Sequence, residues 1–279
     1  MAIDKSNLPR EETFPACAPP PVTPAALAEK VAAARKVLLT MDYDGTLVPI
    51  ASSPYQARPG EGLLKTLTRL GRRAEYTPAV LSGRRLADLR ELLPVPGLYL
   101  AGVHGAVIGR PDGSTVPLFS EEEFGRTIAT IVRLEALARA RIGGRPGFLV
   151  ENKGPALAIH YRLAEAKTAE EVLAGFLQES EELRRQAGLV LLRGKKVLEV
   201  RPPGLHKGKP LAWLITHFPG RCAVFLGDDT TDEDAFALLK KENGLGVLVS
   251  EHPRPSYAAY RLKSPAEVEE LLELLAFAP

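Results

Sequence analysis

"LLTMDYDGTL", residues 38–47, runs an apolar strand straight into two carboxylates, Asp42 and Asp44, and then a glycine. Like charges this close are costly unless a cation or a proton lies between them. Folding alone gives little reason to put them at a strand end, so the pattern points to chemistry, and to chemistry on a phosphate. A calcium loop is excluded: with Gly45 at the sixth position of an EF-hand, Thr40 falls first and Ala51 last, where Asp and Glu are required.

Outward from this stretch, short apolar runs alternate with helical patterns. The runs lie at 36–40, 77–81, 98–101, 222–226 and 245–249, and the helical patterns at 61–72, 84–93, 231–241 and 264–276. Continuous apolar strands separated by helices predict an α/β fold, a parallel sheet covered on both faces. Ligands of such sheets bind beyond the carboxyl ends of the strands. Thr23 followed by Pro24 predicts the start of a first helix, and Ser264, Pro265 and Glu267 stand in capping positions for the last.

The interval 113–202 differs. Ser120 and Glu123 can box the start of a long helix, and "GFLVENKG" and "ALAIHYR" read as paired strands. Thr168 and Glu171 open a second helix, and "GLVLLRGKKVLEVR" reads as a hairpin turning near Arg193–Gly194. The expected organisation is a core at 23–112 and 203–279 with an inserted α+β module at 113–202, joined by connections near 113–118 and 201–205. Period-two alternation puts Glu151 with Lys153, His160 with Arg162, and Glu199 with Arg201 on single faces. Val150, Ile159, Tyr161, Leu198 and Val200 then face the two helices. The result is an open polar sheet face, which is either merely solvated or shaped for a polyhydroxylated ligand.

Composition bounds the function classes. The chain of 279 residues is 45% hydrophobic and 25% charged with a net charge of +2, so neither nucleic acid nor a membrane surface is indicated. Cys17 and Cys222 cannot make a disulfide framework, which makes a reducing, cytoplasmic setting the expectation. Residues 1–22 are proline-rich without an apolar h-region and read as a flexible leader rather than a signal peptide. No stretch approaches the ~18 consecutive apolar residues of a membrane-spanning helix. A monomer is expected.

Four strand ends deliver polar residues: Asp42, Asp44 and Thr46; Ser82; His104; and Asp228, Asp229 and Asp232. "HKG" adds Lys207 at the start of a helix over 207–217. These supply oxygen ligands for a hard cation, a hydroxyl and an ammonium, the usual equipment of Mg²⁺-assisted phosphoryl transfer. An aspartate can then act as nucleophile. Asp232, Glu233 and Asp234 also suit the first turn of a helix, with Thr230 and Glu233 as a capping box, and that reading is preferred for Glu233 and Asp234. Ser82 could be a plain N-cap, and His104 stands equally as a site residue or a satisfied loop histidine.

"DYDGT", "LSGR", "HKG" and "GDDTTDEDAF" together resemble, in order and spacing, the four motifs of haloacid-dehalogenase-superfamily phosphatases. The resemblance implies a Rossmann-like core with an inserted open-faced cap. Asp42 is then the nucleophile, and Asp44 the acid that protonates the leaving alcohol and afterwards activates water. Ser82 and Lys207 hold phosphoryl oxygens, with Thr46, Gly83, Arg84 and His104 around the substrate. Mg²⁺ is bound by Asp42, the Asp44 carbonyl and Asp228, with Asp232 in support. "VENKGPALAIHYR", "GKKVLEVRP", "AGVHG" and "GDDTTDEDAF" are similar to segments of trehalose-6-phosphate phosphatases across roughly residues 25–275. By that resemblance Glu151, Lys153, Arg162 and Glu199 contact a disaccharide phosphate. One departure is Val107, where family members often carry an acid shortly after the His–Gly pair. A phosphatase for another sugar phosphate (sucrose phosphate or mannosyl-phosphoglycerate), a phosphomannomutase-like enzyme and a catalytically silent sugar-phosphate sensor remain as alternatives.

Overall fold

Val37–Met41 (β1) is buried at every residue because it lies at the centre of a covered sheet. Val37, Leu39 and Met41 join one apolar cluster and Leu38 the other, so period-two alternation feeds two cores. Residues 17–278 are described in this computed structural model, apart from the side chains of 121 and 123.

Parallel neighbours flank β1: Tyr76–Leu81 (β2) on one side and Cys222–Gly227 (β10) on the other. Beyond β2 lies Tyr99–Gly102 (β3); beyond β10 lie Leu245–Val249 (β11) and Tyr260–Leu262 (β12). The chain therefore winds outward in opposite directions from the β1–β10 junction, the topological switch point where α/β sheets open a crevice. Pro24–Ala32 (α1), Glu61–Arg72 (α2), Leu86–Leu92 (α3) and Pro265–Phe277 (α8) pack on the face of Leu39 and Met41. Gly208–His217 (α6) and Glu233–Lys241 (α7) cover the face of Leu38 and Phe225.

The expected all-parallel sheet is extended by a meander. Val107–Gly109 (β4) and Thr115–Pro117 (β5) pair antiparallel beyond β3. Residues 115–117, expected within the inserted module, are thus an edge strand of the large sheet. Val107 itself pairs with Gly102 and Pro117. The expected leader falls largely outside the described residues, but its last part does not dangle. Pro20 O accepts from Arg261 N and Val22 N donates to Arg261 O, so this segment runs along β12.

The second sheet is antiparallel, in the order Leu149–Asn152 (β6), Leu157–His160 (β7), Val197–Arg201 (β9) and Val190–Gly194 (β8). Glu121–Ile142 (α4) and Ala166–Gln186 (α5) cover one face, where Val150, Ile159, Leu198 and Val200 meet Ile131, Leu134 and Phe176, with Tyr161 packed alongside. The alternation expected for this face holds. Three local expectations shift. The hairpin turns at Lys195–Lys196, because Gly194 pairs with Val197 and Lys196 takes the positive φ of 66°. Helix α5 begins earlier than Thr168, since the Glu165 carboxylate accepts from Lys167 N and Thr168 N and caps it. The box expected at Thr230 and Glu233 is formed by Asp229 and Asp232 instead. The box expected from Ser120 and Glu123 lies outside the described residues on the Glu123 side.

Candidate active site

Asp42 follows β1 and Asp228 follows β10, so adjacent strands at the switch point deliver both carboxylates to one place; Asp42 N donates to Leu226 O at 2.8 Å. Gly45, at φ 87°, turns the chain immediately after Asp44, and a Cβ there would run into the Asp228 carboxylate. That is the physical demand behind the glycine of the opening stretch.

Lys207, 2% exposed at the N-terminus of α6, donates to Asp42 Oδ1 at 2.7 Å and to Asp232 Oδ1 at 2.6 Å. The other Asp232 oxygen accepts from the backbone N–H of Asp228 (2.9 Å) and of Asp229 (3.0 Å). Asp232 therefore supports from behind, both oxygens committed. Burial would push the Lys207 ammonium down, but Asp232 and Asp42 hold it well above its ordinary value. Burial pushes the Asp42 carboxyl well up; Lys207 opposes this, and Asp232 and Asp228 add to it. Burial and Asp232 push Asp228 up to about 6, partly offset by Lys195, which reaches in from the β8–β9 turn to pair with its Oδ2.

Oxygens of Asp42, Asp228 and Asp232 lie within 4.8 Å of one another, all three residues buried, and Asp228 Oδ1 has no hydrogen-bond partner. A crowded all-oxygen donor set with an orphaned buried carboxylate oxygen fits a hard divalent cation. The negative charges of Asp232 and Asp228 push the Asp42 carboxyl up, and that of Asp232 does the same to Asp228, as expected where a positive charge belongs.

Asp44 stands apart from this cluster. Arg84 grips both its oxygens, Nε to Oδ2 and Nη2 to Oδ1, each at 2.7 Å, and also donates to Pro54 O at 2.8 Å. Arg84, expected beside the substrate, thus spends its fork on Asp44 in this structure. Ser82 is buried after β2, its Oγ accepting from Arg84 N at 3.2 Å.

The second wall is the open face of the smaller sheet. Glu199 of β9 is buried and meets His104 of the larger domain, whose Nε2 lies 3.1 Å from Oε1 and 3.3 Å from Oε2. Lys153 donates to Glu199 Oε2 at 3.1 Å. Burial would raise the Glu199 carboxyl, but His104, Lys153 and Arg201 hold it well below the usual carboxylate range. Burial lowers His104, and the Glu199 charge and hydrogen bond oppose that shift. Val103 and His104 both take positive φ, 50° and 51°, a strained pair that aims the imidazole at Glu199. Glu151 pairs with His160 at 3.0 Å.

Between the walls lies a cleft of about 950 Å³. Asp42, Asp44, Ser82, Gly83, Arg84, His104, Glu151, Lys153, Arg162, Glu199, Lys207 and Asp228 all border it. Thr46 and Asp232 do not. Thr46 is fully buried with its hydroxyl unpartnered, so its expected place against the substrate is corrected to one beneath the site.

Residues 40–266 match the trehalose-phosphatase family model. The chain belongs to the trehalose-phosphatase family. A trehalose-phosphate phosphatase of Mycobacterium marinum is 36% identical over 244 residues, covering 84% of this chain and 60% of that relative. This family member spans about three fifths of the length of the curated relatives it matches. The C-terminal domain of C. albicans trehalose-6-phosphate phosphatase shares the fold, with a TM-score of 0.82 at 24% identity over 94% of this chain and 99% of that one. So does the C-terminal domain of a Candida albicans trehalose synthase regulatory protein, with a TM-score of 0.71 at 16% identity over 91% and 99%. The fold therefore does not separate catalyst from regulator, and the residues of the cleft must.

In this family member, sequence reasoning missed Lys195 and Glu233. Lys195 lay inside a quoted segment, but a misplaced hairpin turn hid its direction. Glu233, read as a helix-dipole carboxylate, is buried and accepts from Arg254 Nη1 (2.7 Å), Ser256 Oγ (3.1 Å) and Tyr257 N (2.9 Å). It pins the loop after β11, whose Arg254 also reaches the Asp228 carbonyl at 3.5 Å. No helix among the described residues is long and apolar enough to cross a membrane.

Proposed function

We propose that the chain hydrolyses trehalose 6-phosphate to trehalose and inorganic phosphate, with Asp42 as nucleophile. The observation that carries the reading is the buried Asp42–Lys207–Asp232–Asp228 cluster, opening onto a cleft whose far wall is a polar sheet face. An Asp42 oxygen bonds to phosphorus as the ester P–O bond breaks, and the departing sugar oxygen takes a proton from Asp44. Asp44 then takes a proton from water, whose oxygen attacks the phosphorus. The acyl-phosphate P–O bond breaks, inorganic phosphate leaves and Asp42 is restored. Arg84 donates once to each Asp44 oxygen here, which orients the carboxyl group and leaves each oxygen a further lone pair for the transferred proton.

Lys207 and Ser82 bind phosphoryl oxygens, and Lys207 offsets the repulsion between Asp42 and the phosphate. Asp42, Asp228 and the Asp44 carbonyl would hold Mg²⁺, with Asp232 orienting the set. The ion would supply charge stabilisation for the phosphoryl group. Residues 121–201 act as the substrate-selecting cap, with Glu151, Lys153, Arg162 and Glu199 as acceptors and donors for sugar hydroxyls. The cap moves against the core as a unit, excluding water on closure.

Phosphate release across a panel of trehalose, sucrose and glucose 6-phosphates and mannosyl-phosphoglycerate, with Mg²⁺ and with EDTA, tests the reading. Preferential, Mg²⁺-dependent release from trehalose 6-phosphate is expected. Equal rates on every ester would remove the disaccharide assignment, and an isomerised sugar phosphate without free phosphate would indicate a mutase.

A further inference from the structure

Among the described residues, the two most exposed large hydrophobic side chains are Tyr55 (70%) and Leu163 (66%). Scattered exposed apolar residues are ordinary. These two are not scattered: both border the same cleft, Tyr55 from the core wall and Leu163 from the smaller sheet's wall.

Each is also held in place. Tyr55 sits in the single turn Pro54–Gln56, where Ser53 Oγ accepts from Tyr55 N at 3.4 Å. The carbonyl before it, Pro54 O, is bonded by Arg84, and the Ala57 carbonyl after the turn accepts from the buried Tyr43 hydroxyl at 2.9 Å. Arg84 grips Asp44, and Tyr43 stands between Asp42 and Asp44 in sequence, so the Tyr55 turn is fixed to the catalytic end itself. Leu163 follows β7 where Gly147, at φ 85°, lets the backbones approach so closely that a Cβ would strike the Leu163–Ala164 peptide. Exposed apolar groups on pinned turns lose little entropy when a ligand covers them.

The cleft, at about 950 Å³, is at the top of the roughly 300–1,000 Å³ range of small-ligand sites. It leaves room beyond the phosphate end. A pyranose ring presents apolar C–H faces, which suit the face of a flat aromatic. Arg58, Glu91 and Arg139 border the cleft as well and offer partners for the sugar hydroxyls. We propose that Tyr55 and Leu163 grip the sugar ring farther from the phosphate and thereby set the preference for a disaccharide phosphate over a monosaccharide phosphate. This rests on the sugar-phosphate reading above.

The test compares steady-state kinetics of the full chain on trehalose 6-phosphate and glucose 6-phosphate, together with calorimetric affinity for trehalose alone. Tyr55→Ala should raise KM for trehalose 6-phosphate roughly 3- to 10-fold with kcat unchanged, the size expected for a lost ring contact. Trehalose affinity should weaken by the same factor and glucose 6-phosphate kinetics should not move. Tyr55→Phe should behave as the unaltered chain, and Leu163→Ser should follow Tyr55→Ala in sign. Equal losses on both substrates, or an unchanged affinity for trehalose in Tyr55→Ala, overturn the proposal while leaving trehalose 6-phosphate turnover standing. Failure of the unaltered chain to release phosphate from trehalose 6-phosphate overturns both.

Discussion

On the core wall Asp42, Ser82 and Asp228 arrive at strand ends, after β1, β2 and β10. On the opposite wall functional residues come from within strands and share a face: Glu151 in β6, His160 in β7, Glu199 in β9. A strand end contributes one residue, at a position fixed by the whole sheet and sealed by helices. A face contributes every second residue, and each can change without moving the others. The core wall is therefore built for one chemistry, the other wall for adjustable recognition. The charges follow the same division. Lys207, Asp42 and Asp232 compensate one another within the core, whereas Glu199 draws partners from both walls.

If that division is right, changes in the core cluster should strike turnover of every phosphoester alike. Asp42→Asn should reduce phosphate release below detection on all substrates while circular dichroism stays native. Substantial residual turnover would contradict the nucleophile role. Lys207→Ala comes next. Its rate should fall on the order of 10²–10³, the cost of removing one donor to developing charge. It should also lose stability, about 3–5 kcal/mol, because Asp42 and Asp232 are left buried without their cation. A thermal melt without metal reads this second effect, and an unchanged melting temperature would mean the cluster relaxes more than its burial implies.

The core wall was the more legible in sequence for the same reason that it is rigid. Apolar runs ending in Asp42, Ser82 and Asp228 announce themselves, since a carboxylate after a buried strand has no folding role. Alternation also disclosed which face of the smaller sheet is polar. What stayed hidden depends on pairing between distant segments. The antiparallel β4–β5 meander joins the large sheet through three-residue strands too short to show a period. The Arg84–Asp44 fork brings together residues forty apart in sequence, which no local pattern reveals. Tyr55 reads as an ordinary loop residue until its neighbours' carbonyls are seen to be tied down.

On the adjustable wall the expected effects are smaller and selective. Glu199→Gln should raise KM for trehalose 6-phosphate by roughly 10-fold, the scale of one charge-assisted hydrogen bond, and leave a small generic phosphoester nearly unaffected. It also carries a pH signature. The Glu199 carboxyl is held well below its ordinary value of 4.5 in the folded chain. Its contribution is therefore full above that value and is lost as pH falls below it toward the folded-state pKa. Melting temperatures of the unaltered chain and Glu199→Gln should differ most near neutrality and converge on acidification. Parallel curves would mean that Glu199 titrates alike in the folded and unfolded states.

The smallest effect is expected where the two walls touch through a half-exposed group. Lys195 lies on the two-residue turn between β8 and β9, its side chain 48% exposed, and pairs with an Asp228 that is 3% exposed. Water screens one partner, so the pair should contribute under about 1 kcal/mol, or about 2–4 °C in melting temperature for a chain of this size. Lys195→Ala should show that loss in EDTA. With saturating Mg²⁺ the difference should vanish, because a divalent ion beside Asp228 supplies the compensation that the ammonium otherwise provides. A loss that persists undiminished in Mg²⁺ would remove Asp228 from the residues that hold the ion, and with it the idea that the orphaned Oδ1 marks a cation's place.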